Sequence, residues 1–256
     1  MEFRPCIDIH NGQVKQIVGS SITDGTDEVR ENFVSGYDSA YYANMYKKLG
    51  LKGGHVIILN DAASPYYEAT VNEAKKALNS YRNGLQIGGG INAQNAEKFI
   101  DEGASHVIVT SYAFNDGKVC YNNIRDLKNA VGREHIVLDM SCRKKGNDYY
   151  IVTDRWQKYT QAKLSEEFLL ELSEYCDEFL VHAVDVEGKS NGIENDVLKI
   201  IMKSNIPVTY AGGISSVKDI KYIKDVTGGR VNITIGTSLD IFGGSLKLSE
   251  VLDCIQ

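Results

Sequence analysis

Short apolar runs alternate with longer amphipathic ones along this chain. The apolar runs predict strands at Phe3–Ile9, His55–Leu59, Leu85–Ile87, His106–Val109, Ile136–Met140, Phe179–Ala183, Val208–Tyr210 and Ile233–Ile235. The amphipathic runs predict helices at Ser39–Leu49, Ala69–Tyr81, Ala93–Glu102, Asn122–Val131, Ser165–Tyr175, Asp196–Lys203, Val217–Val226 and Leu246–Cys254. In the seventh of these, Ile220, Ile223 and Val226 recur at helical spacing, so one apolar stripe faces inward. Strict alternation of strand and helix points to a parallel sheet.

The pattern also repeats at a coarser scale. Leu85-Gln86-Ile87-Gly88-Gly89-Gly90-Ile91-Asn92 is followed by a strand ending in Thr110-Ser111, and Tyr210-Ala211-Gly212-Gly213-Ile214-Ser215 by a strand ending in Thr237-Ser238. The two halves therefore look like copies of one unit. An open doubly wound sheet is the alternative, but duplicated halves favour a closed (β/α)8 TIM barrel. At 256 residues the chain suits one barrel domain, which needs about 250. Two connections are long, from His10 to Asp38 and from Ser141 to Lys163. The second holds a hairpin-like piece, Arg143–Thr153, and such loops are usually lids or binding loops.

Composition narrows the class. Net charge is −6 and no basic stripe is visible, so a nucleic-acid partner is not expected. Five widely spaced cysteines without a CxxC pair suggest reduced thiols in a cytoplasmic protein, neither a disulfide frame nor a zinc site. No apolar run reaches the length of a membrane span, and Met1-Glu2-Phe3-Arg4-Pro5 resembles no targeting segment.

Chemistry is expected at the C-terminal ends of the barrel strands. Asp8 and Asp139 are single carboxylates near the ends of the first and fifth predicted strands, equivalent places in the two halves. Facing each other across the mouth, they could divide acid and base work; the alternative is that each bonds local backbone. Gly89-Gly90 with Thr110-Ser111, and Gly212-Gly213 with Gly236-Thr237-Ser238, predict two phosphate sites built from backbone N–H groups and helix starts. Gly53-Gly54, Gly228-Gly229 and Gly243-Gly244 read as turn glycines. His55 reads as a scaffold residue, whereas His182 lies at the site end of its strand. Asp185, Glu187 and Lys189 follow His182 without a recognised ligand spacing, so no metal is expected. Trp156, in the long fifth loop, could stack on a ring, and Arg143 and Arg155 could meet a phosphate or simply be solvated.

In order along the chain, PCIDIHNGQVKQIVG, GGHVIILN, LQIGGGIN, GASHVIVTSYAF, IVLDMSCRKK, VTDRWQ, FLVHAVDVEGKSNGI, PVTYAGGISS and TIGTSLDIFGG resemble the ProFAR isomerase family of histidine biosynthesis, most closely its eukaryotic branch. The resemblance implies a (β/α)8 barrel without metal or organic cofactor. It implies an Amadori rearrangement of an aminoaldose to an aminoketose and a small-molecule substrate with a phosphate at each end. A monomer is expected. By the same resemblance Asp8 is the base at the sugar C2 proton and Asp139 the acid that opens the ring. Gly89, Gly90, Thr110 and Ser111 hold one phosphate, Gly212, Gly213, Gly236 and Thr237 the other, and Trp156 closes over the substrate. Two positions depart from the bacterial pattern. His182-Ala183 replaces a Thr-Asp pair, so that Thr's work passes to His182 or is dispensed with. Val109 replaces a Gly before the first Thr-Ser turn, which lessens backbone approach there. The competing readings are the cyclase of the same pathway, a non-catalytic phosphosugar-binding barrel, and a barrel of the phosphoribosylanthranilate isomerase type.

Overall fold

The computed structural model describes residues 1–17, 31–154, 156–186 and 192–255. Eight parallel strands form the central sheet: β1 Cys6–His10, β2 Gly54–Ile58, β3 Leu85–Gly88, β4 His106–Val109, β5 Ile136–Lys145, β6 Glu178–Ala183, β7 Val208–Ala211 and β8 Val231–Ile233. Each pairs in parallel with the next. The ring closes where Phe3 bridges Ile233: Arg4 N donates to Ile233 O at 2.8 Å, and Ile233 N donates to Glu2 O at 3.0 Å. The sheet is thus a barrel and not an open doubly wound sheet.

The helices α1 Ser39–Lys48, α2 Tyr67–Ser80, α3 Ala96–Asp101, α4 Tyr121–Val131, α5 Glu166–Leu172, α6 Asn195–Ile201, α7 Val217–Thr227 and α8 Leu248–Ile255 alternate with the strands. Their ends follow side-chain chemistry. Ser216 caps α7 in a capping box with Asp219, and Gly228 ends it in the left-handed conformation at φ 58°. Ser165, expected inside α5, is instead its N-cap and accepts from Phe168 N. α3 begins three residues later than the apolar pattern predicts. Asn92 Oδ1 accepts from Gln94 N and Asn95 N, while Asn95 Oδ1 accepts from Asn92 N, and this local turn competes with the helix.

Strand residues alternate between two surroundings. Ile7, Ile9, Val56, Leu85 and Ile87 are buried in the main core between strands and helices. Inside the barrel, Ile108, Val137, Leu180 and Ala211 form a small cluster against which Ile57 packs. Another interior layer is polar. Glu178, 3% exposed, accepts from Arg4 Nη2 at 3.2 Å, Gln86 Nε2 at 2.9 Å and Thr209 Oγ1 at 2.5 Å. Gly53, expected only to serve a turn, also makes room for this layer, since a Cβ there would lie 1.9 Å from Arg4 Nη1.

Both long connections contain regular structure. After β1, Asn11 and Gly12 have φ of 52° and 71°, and the strand Gln13–Ile17 folds back antiparallel on β1. Glu31–Val34 then pairs with Gln13–Ile17. β5 runs five residues past its expected end into a ribbon whose other strands are Asp148–Thr153 and Lys158–Lys163. β8 starts two residues earlier than expected because Val231 already pairs with Val208.

Removing the Glu178 carboxylate strips the part-buried Arg4 Nη2 of its acceptor, leaving only Nη1 paired, with Glu2 and the Lys52 carbonyl. Glu178→Ala is expected to cost about 3–5 kcal/mol, read as a lower denaturation midpoint in urea.

Candidate active site

A cavity of about 400 Å³ opens at the C-terminal ends of the strands. Asp8 of β1 and Asp139 of β5 both line it. These strands stand opposite each other in an eight-strand ring, so each half contributes one carboxylate. The wall also includes Thr110, Ser141, His182, Gly212, Gly213, Gly236, Thr237, Ser238, Gln16 and Trp156.

The two carboxylates have different partners. Asp8 Oδ2 accepts from Gln16 Nε2 at 3.1 Å. Gln16 reaches it because the Asn11-Gly12 turn lays the strand Gln13–Ile17 beside β1. Gly236 leaves space for that amide: a Cβ there would lie 2.8 Å from Gln16 Oε1. Asp139 is held from both sides. Thr110 Oγ1 donates to its Oδ2 at 2.9 Å, and His182 Nδ1 lies 2.7 Å from its Oδ1. Asp139 comes from β5, His182 from its neighbour β6, and Thr110 from the residue directly after β4.

His55 lies in the cavity wall, only 3% exposed, and its Nε2 has no hydrogen-bond partner among the described residues. Burial lowers its pKa from 6.5 to about 3; Arg4 and His182 push the same way and Asp139 opposes them. His55 is therefore neutral at ordinary pH.

Trp156 reaches the cavity from the ribbon after β5, with φ 68° and its Nε1 donating to Ser141 Oγ at 3.0 Å. Arg143 does not line the cavity. Its Nε donates to Asp185 Oδ1 at 3.1 Å and its Nη1 to Trp156 O at 3.4 Å. Arg155, Glu187 and Lys189 lie outside the described residues.

The glycine turns differ between the halves. Gly212, with φ 127°, and Gly213, with φ 71°, line the cavity, and a Cβ at Gly213 would meet Gly192 O at 1.9 Å. Gly89, Gly90 and Ser111 lie outside the lining. A Cβ at Gly89 would meet Ile58 O at 2.0 Å, whereas Gly90 faces open space. The Thr-Ser pairs were expected to begin helices, and they do not. Thr110 O accepts from Ala113 N and Phe114 N in a turn leading to a short ribbon of Phe114–Asn115 and Lys118–Val119, while Thr237-Ser238 leads into the 3-10 turn Asp240–Phe242. In both halves the chain turns back on itself before the next helix.

Gln16 and Ser141 are two hydrogen-bonding site residues that the sequence did not single out; Cys6 and Thr234 also line the wall unforeseen. Gln16 and Ser141 both left a signal. Asn-Gly forecasts a tight hairpin that returns Gln16 to β1. Ser141 stands two residues after Asp139 on one strand and so shares its face. Among the described residues no cluster of His, Cys, Asp and Glu could hold a metal ion, and no helix is long and apolar enough to cross a membrane.

A closed barrel with one carboxylate from each half at its mouth defines a (β/α)8 protein with the means for proton transfer. The chain belongs to the histidine biosynthesis protein family, whose pattern matches residues 2–245. It is 50% identical over 258 residues to the chloroplastic 1-(5-phosphoribosyl)-5-((5-phosphoribosylamino)methylideneamino) imidazole-4-carboxamide isomerase of Medicago truncatula, covering 98% of this chain and 81% of the relative. The isomerase of the same name from Yarrowia lipolytica is 41% identical, covering 100% of this chain and 97% of the relative. That from Saccharomyces cerevisiae is 40% identical with the same coverage.

The depressed pKa of His55 has a consequence for stability. Above about pH 6.5 the imidazole is neutral whether the chain is folded or not. As pH falls below that, the unfolded chain takes up a proton that the folded chain refuses, so stability is lost. Between about pH 6.5 and pH 5 this loss amounts to about 2 kcal/mol. Urea midpoints measured across that range should fall less steeply in His55→Gln than in the parent.

Proposed function

We propose that this chain is an isomerase of histidine biosynthesis in which one barrel domain carries out an Amadori rearrangement. It converts the phosphoribosylformimino-aminoimidazole carboxamide ribotide aminoaldose to its phosphoribulosyl aminoketose. The observation that carries this is the pairing of Asp8 and Asp139 on one cavity, each with its own hydrogen-bonding partners.

Chemistry assigns the roles. Opening the ribosylamine ring requires a proton on the ring oxygen as the C1–O bond breaks, leaving a Schiff base at C1. The Asp139–His182 pair supplies that proton, because the imidazole and carboxylate share one hydrogen bond and can exchange it. Thr110 keeps the carboxylate oriented. A base then removes the C2 proton from the protonated Schiff base to give an enolamine; a proton added at C1, with loss of the C2 hydroxyl proton, leaves the ketone at C2. Asp8 is this base, steadied by Gln16. No electrons leave the substrate, so the balance needs no redox partner.

Holding both phosphates would fix the reactive carbons between the carboxylates, and such orientation is a large part of what an enzyme can supply. Gly212, Gly213, Gly236 and Thr237 form one proposed anion site, supported by their position in the cavity wall. Gly89, Gly90, Thr110 and Ser111 form the other on the opposite rim. Trp156 stacks over the substrate's ring. A cytoplasmic monomer belongs to the same proposal. Its five cysteines are free, in keeping with a reducing compartment, although the Medicago truncatula relative is chloroplastic by name. No observation favours the cyclase or the non-catalytic binder.

Isomerisation assayed without ammonia or a glutaminase tests the assignment. Asp8→Asn and Asp139→Asn should each lower kcat by about 10²–10⁴-fold while the bisphosphate still binds in calorimetry. Full turnover by Asp8→Asn would remove it from the base role.

A further inference from the structure

The ribbon that carries Trp156 is tied to the loop after β6 by one carboxylate. Asp185 Oδ1 accepts from Arg143 Nε at 3.1 Å, and its Oδ2 accepts from Lys144 N at 2.9 Å. Asp185 therefore grips the base of the ribbon with both oxygens. Arg143 passes the grip on, because its Nη1 donates to the Trp156 carbonyl at 3.4 Å. Tyr149 of the ribbon also donates to Glu194 beyond β6.

At the far end of this chain of contacts Trp156 has φ 68°. A bulky residue keeps that conformation only where its surroundings impose it. The visible restraints on Trp156 are Arg143 at its carbonyl and Ser141 at its indole nitrogen. The Arg143 and Asp185 side chains are 39% and 29% exposed, so the pair adds little stability by itself.

We propose that Asp185 and Arg143 are positioning residues that couple the loops after β5 and β6 and hold Trp156 over the mouth, Arg143 serving as a strut and not as an anion ligand. A guanidinium committed to Asp185 and to a carbonyl has two of its donor groups engaged away from the cavity. Loss of either partner frees the Trp156 backbone to leave its left-handed conformation, and the indole moves off the mouth. The kinetic consequence rests on the isomerase proposal above; the conformational one does not.

Trp156 is the only tryptophan in the chain, so selectively excited emission reports on this residue alone. Asp185→Ala and Arg143→Met are each expected to shift that emission to the red and raise acrylamide quenching several-fold in the ligand-free protein. The double variant should fall short of the sum of the two single effects, because the Arg143–Asp185 contact is shared while Lys144 N and the Trp156 carbonyl are held separately. Asp185→Glu should restore part of the parent signal. In the isomerase assay, kcat/KM should fall about 10- to 100-fold in both single variants. Circular dichroism and thermal melting check folding; should Arg143→Met fail to fold, Arg143→Lys, which loses the guanidinium fork, is read the same way. Unchanged emission and quenching in Asp185→Ala would overturn the proposal. So would an Arg143→Met protein that loses inorganic phosphate binding while Trp156 stays in place, since Arg143 would then be an anion ligand. The emission can fail to move while the isomerase assignment stands, and turnover can fail while the emission moves, so the two ideas are judged separately.

Discussion

The pairing of residues 2–4 with Ile233 is the constraint on which the remaining geometry depends. Without it the sheet would stay open between β8 and the start of β1, and Asp8 and Asp139 would not face a common space. Arg4 lies at one end of that pairing: its amide helps close the ring while its guanidinium reaches the buried Glu178. Glu178 in turn collects Gln86 from β3 and Thr209 from β7. Closure and the polar interior layer are therefore one assembly. The apolar cluster of Ile108, Val137, Leu180 and Ala211 adds a further interior layer.

A two-fold frame supports a chemistry that is not symmetric. The strands place one carboxylate in each half, but local partners make them different. Asp8 meets an amide from a neighbouring hairpin, whereas Asp139 meets a hydroxyl and an imidazole. In an isomerisation one group must take a proton while another gives one, so unlike surroundings suit two like residues. The glycine turns diverge in the same way: Gly212 and Gly213 reach the cavity wall, while Gly89 is packed beneath the Ile58 carbonyl and Gly90 stands in the open. Glycine at Gly213 is required by its left-handed φ and the Gly192 carbonyl whether or not an anion binds, whereas a Cβ at Gly236 would displace the Gln16 amide.

Much of this could be read from the sequence because periodicity records burial. Strand and helix order, the doubled pattern and the place of Asp8 and Asp139 follow from alternating apolar runs that tertiary packing then uses unchanged. What escaped was set by local polar chemistry. The Asn92–Asn95 turn shortened α3, and Asn11-Gly12 made a hairpin from what looked like an irregular loop. Ring closure through Phe3 and Ile233 joins residues at opposite ends of the chain, which no window of sequence displays. The Arg143–Asp185 pair spans two loops, so the sequence left a cation near Trp156 open to a phosphate or to solvent. His182 was legible as a site residue, but its hydrogen bond to Asp139 needed the register of β5 against β6.

The account rests on one substrate held at both ends between the two halves of a closed ring. A crystal soaked with a diphosphorylated ribotide tests this most directly. The predicted result is continuous density across the mouth, with one anion at Gly212-Gly213 and Gly236-Thr237, the other at Gly90 and Ser111, and the sugar between Asp8 and Asp139. Density confined to one rim, or a ligand lying away from both carboxylates, would contradict it.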